Sequence, residues 1–325
     1  MAQQPIIQFF NITKIFGKNV VLDNLNLDIS CGEIFGIIGR SGSGKTTLLS
    51  ALIGFIKPEK GKIFFQGQNI TNNIPDSVKQ QIGFTAQEGS YYPRLTVREN
   101  LEYFGTLYNL SSSEIENKIP GILKLVNLDN DENKISSELS SGMQKRLDIA
   151  CAIIHDPKLL ILDEPTEDLD PVLRKEVLNL LRKINKEKNV TIIMTSHLLE
   201  EIEQICTHLA ILHNKEILIE GTLNELKDYY SNNQEIILET YSGKYSALIK
   251  SLKQRKEVNK VIESDGKLLV YSPEAENVLR FIMKELESQD EKVLDLDMNK
   301  PSLSEVFESL IKENVQVNRD NKKES

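Results

Sequence analysis

The stretch Glu33-Ile34-Phe35-Gly36-Ile37-Ile38-Gly39-Arg40-Ser41-Gly42-Ser43-Gly44-Lys45-Thr46-Thr47 decides the fold. Glu33–Ile38 is a short apolar run typical of a buried strand, and the residues from Thr46 to Gly54 have helical character. Between them, Gly39–Thr46 has the spacing G-x-x-x-x-G-K-[ST]. Its glycines let consecutive backbone N–H groups turn toward one centre, and the following helix adds the positive end of its dipole. Gly39, Ser41, Gly42 and Gly44 thus form a cradle for phosphate oxygens. Lys45 can reach β- and γ-phosphates, the Thr46 hydroxyl is placed for Mg²⁺, and Thr47 for the α-phosphate. A plain Gly-rich surface turn would not need a strand before it and a helix after it.

Upstream, Ile6–Ile15 and Val20–Ile29 read as strands joined by a turn at Gly17-Lys18-Asn19. Downstream, Thr96–Asn109 and Ser112–Leu128 read as helices opened by the capping boxes Thr96-x-x-Glu99 and Ser111-x-x-Glu114. Ser140–Ile154 is a further amphipathic helix. Leu159–Leu162, the helix Pro171–Lys188 and the strand Thr191–Thr195 continue the alternation, and Leu209–His213 with Glu216–Glu220 closes it as a hairpin. Strand–helix alternation implies a largely parallel sheet covered by helices. Asp163 and Glu164 emerge at the carboxyl end of the apolar strand Leu159–Leu162, where ligands bind in open α/β sheets. In that position Asp163 suits Mg²⁺, directly or through water, and Glu164 suits a general base acting on the attacking water.

The chain has 325 residues, enough for about two domains. The polar stretch Lys227–Gln234 marks the boundary. Beyond it the predicted order is strand Glu235–Tyr241, helix Tyr245–Gln254, strands Glu257–Glu263 and Gly266–Ser272, helix Glu274–Ser288 and strand Lys292–Met298, a βαββαβ arrangement. A last helix opens at Pro301-Ser302 with Glu305 and carries an apolar stripe of Leu303, Val306, Phe307, Leu310 and Ile311; residues from Asn314 on read as a disordered tail.

The 39 Lys and Arg against 48 Asp and Glu give a net charge of −9, and neither residues 1–230 nor the remainder is net basic. That argues against nucleic acid as the main partner. Cys31, Cys151 and Cys206 lack C-x-x-C spacing and share no ligand spacing with His155, His197, His208 or His213, so the thiols read as reduced and intracellular, without structural zinc. The first ten residues lack a basic n-region and signal-peptide core, and apolar runs such as Ile34–Ile38 fall far short of the ~20 residues that cross a bilayer.

Between the phosphate loop and Asp163-Glu164 lies Leu139-Ser140-Ser141-Gly142-Met143-Gln144-Lys145-Arg146-Leu147. It resembles the signature motif of ATP-binding cassette (ABC) ATPases. The order of phosphate loop, Gln87, signature, Asp163-Glu164, Asp168-Leu169-Asp170 and His197 also resembles that family, over residues ~10–230. The resemblance implies an α/β fold: a P-loop NTPase cassette over residues 1–230, with a mostly parallel sheet core, an antiparallel β subdomain and a helical insert at about 88–155. A small α+β ferredoxin-like accessory domain (231–313) and the tail 314–325 follow. It implies that Ser140 and the Gly142 N–H bind the γ-phosphate held by a second subunit, in a head-to-tail dimer around two ATP molecules. His197 becomes the switch histidine on the γ-phosphate. Gln87 becomes the loop glutamine that contacts Mg²⁺, and Phe16 the aromatic that stacks on adenine. Asp170 is placed among the nucleotide-binding residues.

This sequence departs from the family pattern at four positions. Ser141 stands for glycine, which would cost roughly 1 kcal/mol if that backbone needs φ > 0. Met143 stands for the usual Gln. Glu167 and Asp168 stand for small residues and add negative potential beside Glu164, with slower hydrolysis or weaker dimerisation as the expectation.

The Ala210–His213 and Ile219–Thr222 segments and Pro301–Phe307 resemble exporter-type cassettes of the multidrug/antibiotic class. The implied function is ATP hydrolysis driving a separate membrane-spanning permease. That permease would be received near Tyr91, Tyr92, Pro93 and Leu95, with the chain peripheral on the inner face of the cell membrane. The partner chain would be a second copy or a homologous ATPase. The alternative is a soluble ABC ATPase acting on a macromolecular assembly.

Overall fold

The computed structural model describes residues 5–230, 234–264, 266–289 and 291–299. The expected helix from Pro301 and the tail from Asn314 lie outside the described residues. The chain divides between Gly221 and Thr222 into two compact units. The division precedes the polar stretch Lys227–Gln234, whose first four residues end a helix.

In order, the first unit holds β1 (Pro5–Phe16), β2 (Asn19–Ser30), β3 (Ile34–Ile38), α1 (Lys45–Leu52), β4 (Lys60–Phe65), β5 (Gln68–Asn69), α2 (Asp76–Lys79) and β6 (Ile82–Thr85). Then come α3 (Val97–Leu107), α4 (Ser112–Val126), α5 (Ser141–Ile153), β7 (Leu159–Leu162), α6 (Pro171–Lys188), β8 (Thr191–Ser196), α7 (Leu199–Ile205), β9 (His208–His213) and β10 (Glu216–Thr222). The strands β4 and β6 and the helix α7 add to the elements read from sequence.

Six strands form one sheet in the order β10-β9-β3-β8-β7-β6, and every pair from β9 to β6 is parallel. All residues of β3, β7 and β8 are buried, as expected for strands covered on both faces. The β9–β10 turn uses Asn214 and Lys215, both at positive φ, as a two-residue hairpin requires. A second, antiparallel sheet runs β2-β1-β4-β5. Its inner residues Ile7, Phe9, Ile12 and Phe65 share one core with Leu48, Leu49 and Leu52 of α1 and Ile161 of β7. That shared packing holds the phosphate loop against the parallel sheet.

Both predicted capping boxes form: Thr96 with Glu99 starts α3, and Ser111 with Glu114 starts α4. Each closes two orphan backbone donors locally.

The second unit holds α8 (Leu223–Tyr230), β11 (Gln234–Thr240), α9 (Ser246–Leu252), β12 (Lys260–Ser264), β13 (Lys267–Ser272), α10 (Ala275–Ser288) and β14 (Val293–Asn299). Its sheet order is β12-β13-β11-β14, and all three pairs are antiparallel. This is the ferredoxin-like βαββαβ topology. Ile236, Leu238, Leu268 and Val270 meet Leu248, Leu252, Val278 and Ile282 of the two helices in its core.

Candidate functional site

The carboxyl ends of β3, β7, β8 and β6 lie side by side at one edge of the parallel sheet, and the chemistry collects there. After β3 the chain turns through the phosphate loop. Gly44, at φ 111, is the N-cap of α1 and supplies no side-chain cap, so the first backbone donors of α1 stay open for an anion. A Cβ on Gly39 would lie 2.3 Å from Ser43 Oγ and 2.6 Å from the Leu212 carbonyl, so the close approach of loop to β9 requires glycine. Ser43 Oγ is buried without a hydrogen-bond partner. Ser41, Gly42 and Thr46 are exposed and Thr47 half-buried.

Lys45 is only 5% exposed. Its ammonium donates to the Gly39 carbonyl at 2.9 Å and pairs with Glu164 Oε1 at 3.1 Å. Glu164 Oε2 meets His197 Nδ1 at 2.6 Å. The Thr195 hydroxyl donates to Asp163 Oδ1 at 2.6 Å and accepts from the Glu164 N–H at 2.9 Å. One threonine of β8 therefore fixes both acids at the end of β7. Burial alone would push the Glu164 carboxyl up, but the hydrogen bonds from His197 and Lys45 and the Lys45 charge outweigh it. The carboxyl is held below its usual range and is ionised at neutral pH, as a base must be.

Gln87 lies two residues beyond β6, and its side-chain amide donates to Glu167 Oε2. Ser140 caps α5, its Oγ accepting from the Met143 N–H at 3.4 Å. A Cβ on Gly142 would sit 2.8 Å from Leu173 Cδ2, so any larger residue would have to push the Leu173 side chain aside where α5 meets α6. The strain expected at Ser141 is absent. Ser141 is the first residue of α5 and not among the positive-φ residues, which include Glu164 (φ 46) and Asp168 (φ 60) in the turn after β7. The Ser141 backbone is that of an ordinary helix start, so the condition for that cost is not met.

Phe16 is 48% exposed, with the Lys14 ammonium 4.9 Å from its ring centroid. Asp170 caps α6, accepting from the Val172 and Leu173 N–H groups at 2.9 and 3.0 Å. Its bonds are therefore those of a helix cap, not bonds to Lys45, Glu164 or His197.

Thr195, Asp148 and Asn100 went unread in the sequence. Asp148, 1% exposed on α5, accepts from the Ser90 N–H at 2.7 Å, while its other oxygen has no partner. Burial pushes its carboxyl up to about 6, against the pull of the Ser90 N–H and Lys145. An acid inside the apolar run Leu147–Ile153 was the available signal. Asn100, fully buried on α3, accepts from the Tyr92 N–H at 2.7 Å and donates to the Tyr92 carbonyl and Ser136 Oγ. The loop after β6 is thus pinned by α5 on one side and α3 on the other. Beside it opens a cleft of about 410 Å³, lined by Phe55, Phe84, Phe104, Leu107 and Tyr108 among others, with Phe55 and Leu107 well exposed. His155 stacks on Tyr108 and bonds the Ile82 carbonyl through Nε2; burial pushes it down to about 4, so it is a neutral core residue.

A family model described as ABC transporter matches residues 22–167. The chain is 34% identical over 307 residues to the bacitracin transport ATP-binding protein BcrA of Bacillus licheniformis, covering 94% of this chain and 97% of that protein. It is 31% identical to the linearmycin resistance ATP-binding protein LnrL of Bacillus subtilis, covering 94% and 98%. Among solved structures, an ATP-binding subunit of an ABC transporter superposes with a TM-score of 0.62 at 27% identity, covering 69% of this chain and 93% of that one. The cbiO1 protein of Clostridium perfringens, part of an ABC transporter complex, does so with a TM-score of 0.64 at 26% identity, covering 69% and 91%. With a phosphate loop, a paired lysine and glutamate and a histidine gathered at one sheet edge, and with relatives matched over almost their whole length, the chain belongs to the ABC transporter family as an ATP-binding, ATP-hydrolysing protein.

Proposed function

We propose that the chain energises an exporter, and that the residues converging on Glu164 carry out the hydrolysis. The observation that carries the reading is the joined set Lys45, Glu164, His197, Asp163 and Thr195, poised beside the open N–H groups of α1. Lys45 neutralises β- and γ-phosphate charge. Glu164, kept ionised by its neighbours, accepts the proton of the attacking water, and His197, held through Nδ1, orients it and contacts the γ-phosphate. Phe16 offers a face to adenine, and the exposed Ser41 and Gly42 with Thr47 line the phosphates.

Asp163, Thr46 and Gln87 offer only oxygen donors, the set a hard Mg²⁺ takes. That ion would supply charge neutralisation at the phosphates.

Two cassettes face head to tail, so that the N-terminus of α5, with Ser140 and Gly142, meets the nucleotide on the partner's loop. Asp170 stands at the same seam. The partner is a second copy or a homologous ATPase. The apolar cleft beside the pinned loop after β6 receives the permease. Among the described residues no helix is long and apolar enough to cross a membrane, so membrane association runs through that partner, on the inner face. Relatives named for bacitracin transport and linearmycin resistance favour this reading over action on a soluble assembly.

The test is affinity capture of tagged Glu164→Gln chain with ATP and Mg²⁺ from detergent-solubilised membranes. A stoichiometric multi-span protein is expected. Ribosomes or another soluble assembly in its place would favour the alternative.

A further inference from the structure

Gln87 and Glu167 are eighty residues apart, yet they sit on adjacent loops. The strands β6 and β7 are parallel neighbours with Thr85 opposite Leu162, and the Asp163 N–H donates to the Thr85 carbonyl at 3.1 Å. The chain after β7 turns tightly: the Glu167 N–H returns to the Glu164 carbonyl at 3.2 Å, the Leu169 N–H returns to the Thr166 carbonyl at 3.3 Å, and Asp168 takes φ 60. This turn aims the half-buried Glu167 back across the sheet edge to Gln87, whose Nε2 donates to Glu167 Oε2. The Gln87 backbone is tethered independently, its carbonyl 3.5 Å from Lys145 Nζ of α5.

A side-chain amide has a donor end and an acceptor end of nearly equal shape, and its hydrogen-bond network decides which way it faces. An ionised carboxylate can only accept. Facing one, Gln87 must turn its NH₂ toward Glu167, which leaves its oxygen as the end it can offer elsewhere. A hard cation takes that oxygen and never the amide nitrogen. We infer that Glu167 is a positioning residue that fixes the flip of the Gln87 amide, so that the glutamine oxygen is presented to Mg²⁺. A serine or asparagine at this position could accept or donate and would not fix the flip. The inference rests on the proposed role of Gln87. It also opposes the slower hydrolysis expected from added negative potential; the charge of Glu167 would by itself favour a cation, so the Gln87→Ala background separates positioning from charge.

The experiment compares full-length wild type, Glu167→Ala, Gln87→Ala and the double variant, each also in a Glu164→Gln background. In that background, apparent Mg²⁺ affinity is read from the rise in thermal unfolding temperature as Mg²⁺ is titrated at fixed ATP, without turnover. The side-chain amide resonances of Gln87 are recorded without nucleotide or metal. Glu167→Ala should weaken apparent Mg²⁺ affinity about tenfold, as loss of a partner that orients a metal ligand does, and should shift the Gln87 amide resonances. In the Gln87→Ala background the same change should have no further effect.

Unchanged Mg²⁺ affinity in Glu167→Ala, or a rise in affinity or turnover, overturns the inference while leaving Gln87 in its role. An equal loss in the Gln87→Ala background also overturns it and assigns the effect to through-space charge. If Gln87→Ala itself leaves Mg²⁺ affinity unchanged, the assignment of Gln87 as a ligand fails first, and the inference with it.

Discussion

The two units solve the same packing problem with sheets of opposite habit. In the first, β9, β3, β8, β7 and β6 run parallel, so that their carboxyl ends share one edge. Residues as distant as Lys45, Gln87, Glu164 and His197 are thereby delivered to one place. In the second, β12, β13, β11 and β14 are antiparallel, and the loops after neighbouring strands leave at opposite edges. Its buried tyrosine serves the fold. The Tyr245 hydroxyl accepts from the Thr240 N–H at 3.0 Å and donates to the Gly266 carbonyl at 2.9 Å, tying α9 to the strands. Strand direction decides whether buried polarity can gather into a site or must be used up pair by pair.

The largest expected effect tests the gathered edge. Glu164→Gln keeps the shape but cannot take a proton, so hydrolysis should fall by about 10²–10⁴-fold with ATP binding retained. Lys45→Ala should instead weaken ATP binding itself, by roughly ten- to a hundredfold, as loss of a charge-assisted contact of about 1.5–3 kcal/mol does. Equal turnover in wild type and Glu164→Gln, by phosphate release, would remove the proposed base.

Next comes the buried acid that pins the loop after β6. The folded value of about 6 for Asp148 lies above that of the unfolded chain, so the fold disfavours its charged form. The protonated state is the more stable one. Stability is therefore fully present below about pH 4 and is lost as pH rises through about 6, by roughly 3 kcal/mol in all. Denaturant unfolding of wild type and Asp148→Asn between pH 4 and 7 should show the variant gaining on wild type by that amount. Parallel curves would mean that the carboxyl is not disfavoured by burial.

The smallest effect tests the second unit. Tyr245→Phe leaves the Thr240 N–H without its acceptor and should cost about 1–2 kcal/mol. Faster hydrogen exchange in β11 and β13, with ATP hydrolysis unchanged, is the expected pair of results. A large loss of hydrolysis would break the contrast by tying the second unit to the reaction.

What could be read from the residues alone had local causes. The capping boxes at Thr96 and Ser111, the helix Pro171–Lys188 and the phosphate loop rest on contacts within a few positions, and they appear where expected. The strands β4 and β6 are short, and each pairs with a strand far away in the chain, β4 with β1 and β6 with β7, although β4 also forms a hairpin with the adjacent β5. No local pattern marked out β6, whereas the Gln66-Gly67 turn after β4 was a local signal that went unread. The cost considered for Ser141 held only if its backbone took φ > 0, and Ser141 instead opens α5. A motif letter does not say which residue takes a left-handed backbone, and here the turn after β7 puts that conformation on Glu164 and Asp168.

By itself, then, the sequence determined the phosphate loop, the acids after an apolar strand, the capped helix starts and the βαββαβ order of the second unit, because each is written in spacing and capping over short range. Only the tertiary structure decided that Thr195 would hold both acids, that Asp148 would pin the loop after β6, and that Glu167 would face Gln87. Those pairings join residues 31 to 80 positions apart, and they exist because parallel register and helix packing bring the loops together.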